Sequence, residues 1–189
     1  MRAKRLFSFL TLSLLSLTAG CAQLTVAERE QMFGSHPPRI VKADAQSKML
    51  YPNDWTIFLH VEDPDGDLTG FAGWVSLLGG LNEFYTVPLN SKFRREAKGY
   101  VWVPLSPAFG PLFNTLTVTI YAKDKAGHKS AERVLTLDLG DQLSEEEASK
   151  IQAYEREFDI ALGPINIEIL RREGGEPGDG GNGGGMGGN

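Results

Sequence analysis

Leu116-Thr117-Val118-Thr119-Ile120-Tyr121-Ala122-Lys123 is the stretch that decides the fold class of this chain. Leu116, Val118, Ile120 and Ala122 take every second position, and Thr117, Thr119, Tyr121 and Lys123 fill the places between them. Side chains of an extended backbone point alternately to its two faces, so this spacing predicts a half-buried strand. The same period recurs on both sides. Trp55, Ile57, Leu59 and Val61 alternate with Thr56, Phe58, His60 and Glu62. Val101, Val103 and Leu105 face away from Tyr100 and Trp102, and Leu135, Leu137 and Leu139 alternate with Thr136 and Asp138. Turn signals separate the runs at Asp63-Pro-Asp-Gly-Asp67, Gly79-Gly80, Lys98-Gly99, Pro107 to Pro111 and Lys125-Ala-Gly127. Together they predict an all-β domain of seven strands, near 38–45, 54–62, 69–78, 83–89, 99–105, 115–123 and 131–139. No helices are interleaved that would suggest a parallel sheet.

Seven short strands over residues 38–140 form the pattern of an antiparallel sandwich of the immunoglobulin or fibronectin type III architecture. Thr117-Val-Thr-Ile-Tyr-Ala-Lys-Asp-Lys-Ala-Gly-His-Lys-Ser130 resembles the penultimate strand and following turn of bacterial Ig-like and cadherin-like domains. Those domains often read Val-x-Ala-x-Asp-x-x-Gly-Asn-x-Ser before their last strand, and here His128 stands where Asn is usual. The resemblance implies a fold and leaves the function open.

Beyond Gly140 the period changes. Ser144 followed by Glu145-Glu146-Glu147 predicts a capped helix start, with acidic groups at the positive end of the helix dipole. Ile151, Tyr154, Phe158 and Leu162 then make one stripe at helical spacing, and Gly163-Pro164 closes the helix. Ile165, Ile167 and Ile169 predict a short extra strand, so residues 141–173 read as a helix-plus-strand accessory element. Residues 174–189 hold ten glycines among sixteen and read as a disordered tail, too poor in apolar groups to bury a core.

The amino-terminal end has a different logic. Arg2, Lys4 and Arg5 precede an apolar run from Leu6 to Leu17, the layout of a secretory signal peptide rather than a membrane span. The run ends in Leu17-Thr18-Ala19-Gly20-Cys21, which closely resembles the lipobox of bacterial lipoproteins. That resemblance implies cleavage after Gly20, so that residues 1–20 are removed. It also implies a diacylglyceryl group on the Cys21 thiol and an acylated new amino terminus. Cys21 is the only cysteine, so no disulfide can form within the chain. Ala22, rather than an aspartate, follows it. In the enterobacterial sorting rule this favours the outer membrane over the plasma membrane. Residues 21–37 then become a lipidated tether, with room for one short helical turn before Gly34 and Pro37. Several buried acyl chains hold firmly where one alone binds reversibly. With the three leader cations gone, 16 basic residues face 24 acidic ones, a net charge of −8. No basic cluster offers itself to nucleic acid.

Three sets of residues invite a chemical reading. Asp63, Asp65 and Asp67 alternate around Gly66, and Asp124 occupies the matching turn of another strand, with Asp44 as a further carboxylate. Converging hard oxygens of this kind are what calcium requires, which makes calcium the one candidate cofactor. The position twelve from Asp63 is Trp74, so the loop is not an EF-hand. A tight turn with aspartates capping backbone amides explains the same residues. It takes precedence, because three ligands fall short of the roughly 6–8 oxygens calcium wants. The second set is aromatic. Phe58, Trp74, Tyr100, Trp102 and Tyr121 fall opposite the core positions and predict an apolar outer face on one sheet, covered by the Ile151–Leu162 stripe. Trp74, Tyr100 and Trp102 are candidates for contact with a partner or a glycan. Third, His36, His60 and His128 show no metal-binding spacing, and neither a nucleophile elbow nor a phosphate loop is present. The expectation is a lipid-anchored, non-catalytic binding or scaffolding module of the bacterial envelope, with an envelope protein or glycan as partner. The alternatives are a calcium-binding module and a glycan-binding accessory domain.

Overall fold

The alternating segments pair into nine strands in a computed structural model that describes residues 24–50, 53–77, 80–105 and 115–167. Residues 1–20, Cys21, Ile169 and the glycine-rich residues 174–189 lie outside the described residues. The strands are β1 (Arg39–Ala45), β2 (Lys48–Met49), β3 (Trp55–Glu62), β4 (Leu68–Leu77), β5 (Leu81–Pro88), β6 (Glu96–Val103), β7 (Thr115–Asp124), β8 (Arg133–Leu139) and β9 (Ala161–Pro164). Two α-helices join them among the described residues, α1 (Val26–Phe33) and α2 (Glu145–Glu157). One sheet runs β1-β3-β6-β9 and the other β2-β8-β7-β4-β5, consistent with a β-sandwich.

Inner faces carry the alternation that the sequence shows. Trp55, Ile57, Leu59 and Val61 of β3 are fully buried, and so are Leu116, Val118 and Ile120 of β7. They belong to one hydrophobic cluster fed by both sheets. Each such side chain contributes about 1.5–3 kcal/mol by leaving water. The Trp55 indole also satisfies its one polar atom, donating from Nε1 to the Gln46 carbonyl at 2.9 Å.

Two features depart from seven antiparallel strands. The count is nine, and the sheets are mixed, because β2 lies parallel to β8 and β9 parallel to β6. Both added strands are short edges. A parallel neighbour needs a crossover, and α2 supplies part of the chain that returns to the β6 edge. Gly99 makes that approach possible: a Cβ there would overlap the Ile160 carbonyl, which instead accepts the Tyr100 N–H at 2.9 Å. This strand pairing also overrides the helical stripe. α2 stops at Glu157, Phe158 caps it by donating its N–H to the Tyr154 carbonyl at 2.8 Å, and Leu162 sits on β9. The extra strand therefore comes earlier than Ile165. Ile165 and Ile167 are buried in the core outside any strand, with the Ile165 N–H held by the Trp102 carbonyl at 2.8 Å. Among the described residues no helix is long and apolar enough to cross a membrane.

Candidate functional site

The aspartate-rich turns lie at one end of the two sheets, and the segment before β1 is held there. Thr25 caps α1 in a reciprocal capping box with Glu28. From that helix Glu30 reaches the β7–β8 turn, its Oε1 lying 3.0 Å from His128 Nε2. The other ring nitrogen of His128, Nδ1, is 2.9 Å from Asp124 Oδ2. These two acceptors raise the His128 pKa, the Glu30 hydrogen bond most of all. Just past the helix, the His36 N–H donates to Asp65 Oδ2 at 2.7 Å, and its Nδ1 is 3.0 Å from Asp65 Oδ1. The backbone N–H of His36 is the main reason that Asp65 is held below the usual carboxylate range. The segment is thus pinned to the sandwich at Glu30 and His36, while its helix buries no residue.

Asp63, Asp67 and Asp124 each spend one oxygen on two backbone amides. Asp63 Oδ1 accepts from the N–H groups of Asp65 at 3.0 Å and Gly66 at 3.1 Å. Gly66 has φ 79°, the left-handed conformation that closes the loop. Asp67 Oδ2 accepts from Lys125 at 3.0 Å and Ala126 at 3.2 Å, tying the β3–β4 loop to the β7–β8 turn. Asp124 Oδ1 accepts from Gly127 and His128, both at 2.7 Å. Asp63 Oδ2 is buried without a hydrogen-bond partner, and burial above all pushes that carboxyl up, with Asp67 adding repulsion. Among the described residues, no group of three or more His, Cys, Asp or Glu side chains is disposed to hold a metal ion. Asp44, at the far end of β1, pairs instead with Lys150 of α2 at 2.8 Å.

The five aromatic side chains do not share one face. Phe58, Tyr100 and Trp102 belong to the four-stranded sheet, where Phe58 faces Tyr100 and Thr56 faces Trp102 across β3 and β6. Trp74 and Tyr121 belong to the five-stranded sheet. Period two fixes the face of a strand but not the sheet that a strand joins. Helix α2 and its cap cover part of the first outer face. Phe58 packs against Tyr154 and Phe158 with ring centroids at 5.6 and 5.9 Å, and both Phe58 and Phe158 are fully buried. Lys42 sits 3.9 Å from the Tyr154 ring centroid, and Lys98 binds Glu157 at 3.0 Å, which lowers the Glu157 pKa. Beside this contact a groove of about 360 Å³ remains, lined by Thr56, Phe58, Tyr100, Glu155, Phe158 and Asp159.

On the five-stranded sheet Tyr121 is buried beneath Lys129, whose Nζ lies 4.7 Å from the ring centroid. Trp74 remains 46% exposed and Phe84 45%, their rings edge to face with centroids 5.0 Å apart. Phe84 is the residue that reading Trp74 alone misses. Its place opposite Trp74 follows from the register of β4 against β5, since Asn82-Glu-Phe-Tyr-Thr-Val87 shows no polar–apolar alternation that would set its face. The Glu30–His128 and His36–Asp65 contacts are likewise invisible to local spacing, since they join residues 98 and 29 positions apart.

Comparisons with protein-family models, with curated proteins and with solved structures return no match to this chain.

Proposed function

We propose that the chain is a lipid-anchored, non-catalytic binding module of the bacterial cell envelope, carried on an Ig-like sandwich. The observation that carries the binding role is the contrast between the two outer faces. The chain's own α2 packs on one of them, whereas the other leaves the Trp74–Phe84 pair open to solvent. Exposed large apolar side chains side by side on a folded domain mark an interaction surface. The strand orders support the Ig-like reading. β1-β3-β6 and β8-β7-β4 are neighbours in the sense of the A-B-E and G-F-C strands of that architecture. Asp67 and Asp124 support a non-catalytic role, because each gives an oxygen to two turn amides. The lipobox supports attachment through Cys21, with the outer membrane favoured by Ala22. α1 begins five residues after Cys21 and lies against the aspartate turns, which would keep that end of the sandwich near the bilayer.

Mass spectrometry and fractionation test the anchor. The chain should enter the membrane fraction with the added mass of acyl groups, and Cys21→Ala should be soluble and unmodified. If the variant has the same mass and distribution as the parent, the anchor is wrong. A photo-crosslinking residue at Thr117 on the open face tests the binding role in cells. Adducts should form there, and Trp74→Ala should reduce them strongly. Absence of any adduct in the parent chain sinks the binding role.

A further inference from the structure

The open face of the five-stranded sheet has a composition that narrows its ligand. Register places Phe84, Trp74, Thr119 and Val134 in one row across β5, β4, β7 and β8. Two residues further along each strand, the adjoining row is Asn82, Ser76, Thr117 and Thr136. Val134 is 63% exposed, Asn82 and Thr136 are exposed, and Thr117 and Thr136 bring their hydroxyls within 3.5 Å of each other. None of these eight positions carries a charge, and on the same face charge begins in the rows beyond them, with Asp138 beside Thr115 and Lys129 over Tyr121.

We infer that this face binds an uncharged polysaccharide strand, a ligand class that rests on the open-face reading above. The argument is one of chemical complementarity. A pyranose presents an apolar C–H face that packs on an aromatic ring, and its hydroxyls exchange hydrogen bonds with Thr, Ser and Asn side chains. Both kinds of group lie side by side here. Strands about 4.8 Å apart offer successive contacts at nearly the advance of one sugar ring, so the chain would run across the strands. A charged polymer would call for lysines and arginines, or for carboxylates, in the rows. Protein interfaces concentrate their energy in Trp, Tyr and Arg, with Ser, Thr and Val under-represented, whereas here those three types supply five of the eight positions. The flat relief of a sheet also suits a ribbon-like polymer better than a compact solute, which needs a concave pocket.

Pull-down of the full chain on cellulose and on chitin, with alginate as a charged control, tests the inference. The chain should be retained on an uncharged glycan at high salt. Trp74→Ala should lower retention by about tenfold, the effect of losing one central contact of about 1.4 kcal/mol. Trp74→Phe, which keeps a ring, should retain most of it, and Tyr100→Ala on the opposite sheet should leave it unchanged. Because Trp74 points to solvent, its loss leaves the core intact, and circular dichroism checks that. Retention equal in Trp74→Ala and the parent, or none on either uncharged glycan, overturns the inference. If Thr117 crosslinks persist in that case, only the ligand class falls. If they are absent too, the open-face reading falls with it. A dimer in sedimentation equilibrium that Trp74→Ala dissociates would assign the face to a second copy and also overturn the inference.

Discussion

Asp67 separates a turn acceptor from a cation ligand. Its Oδ2 takes two amides of another strand connection, Lys125 and Ala126, at 3.0 and 3.2 Å, and the residue is almost fully buried. In Asp67→Ala both N–H groups lose that acceptor. A buried donor left without a partner costs about 1–3 kcal/mol. Lys125 keeps a second acceptor, the Asp67 backbone carbonyl at 3.2 Å, so the Ala126 N–H is the donor left without a partner and the substitution should cost about 1–3 kcal/mol. That is a large share of the roughly 5–15 kcal/mol that holds a domain together. Asp67→Asn keeps a carbonyl oxygen with two lone pairs in the same place, and should cost no more than about 1 kcal/mol. Urea unfolding followed by tryptophan emission reads both variants, since Trp55 is fully buried and reports the core. The titrations are run with added calcium and with chelator, and the parent midpoint should be the same in both. If Asn costs as much as Ala, the negative charge rather than the acceptor matters and the turn account fails. A calcium-dependent midpoint in the parent that vanishes in Asn would put a cation where the amides are placed.

Other consequences are equally direct. Gly73→Ala should destabilise by about 3 kcal/mol in the same assay, because its Cβ would overlap the Thr119 carbonyl of β7, a backbone atom that cannot swing away. A cost under about 1 kcal/mol would show that the β4–β7 pair adjusts. Phe158→Ala should cost about 3–5 kcal/mol and raise hydrophobic-dye binding, since the ring packs on Phe58 and Tyr154; unchanged dye binding would mean that α2 stays in place without it. The hold on α1 should depend on pH. His128 is raised above its ordinary value of 6.5 by Glu30 and Asp124, so its contribution is complete below that value and is lost as pH rises through the raised one. The protection of residues 26–33 against hydrogen exchange, corrected for the base catalysis that speeds exchange in any chain, should fall across that window in the parent and stay level in His128→Gln. The same pH dependence in both chains would show that another group holds the helix.

How much of this was legible differs from element to element. The faces of β3, β6, β7 and β8 could be read, because alternation is a property of neighbouring residues. Trp55, Ile57, Leu59 and Val61 point inward as their spacing requires. The start of α2 was legible for the same reason: Ser144 and Glu147 form their capping box within four residues. Its end was not. Phe158 and Leu162 keep helical spacing, but Gly99 opens a strand edge some sixty positions earlier in the chain, and pairing there replaces the last turn. Among the candidate residues, the capping role of Asp63 was readable from its own turn. The link from Asp67 to Lys125 spans 58 positions and could not be.

By itself, then, the sequence determined what short-range chemistry determines: the mostly β character, the inward and outward sets of β3, β6, β7 and β8, the turns at Asp63–Asp67 and Lys125–Gly127 and the start of α2, whereas Lys98-Gly99, which reads as a turn, lies inside β6. Tertiary structure alone decided which strands share a sheet and hence which aromatics share a face. It separated Trp74 from Tyr100 and Trp102, gave Trp74 the neighbour Phe84, and laid Glu30 and His36 against the aspartate turns. The physical reason is the same in each case. Direction along a strand is set by local backbone geometry, whereas partnership depends on contacts between segments far apart in the chain, which no local spacing records.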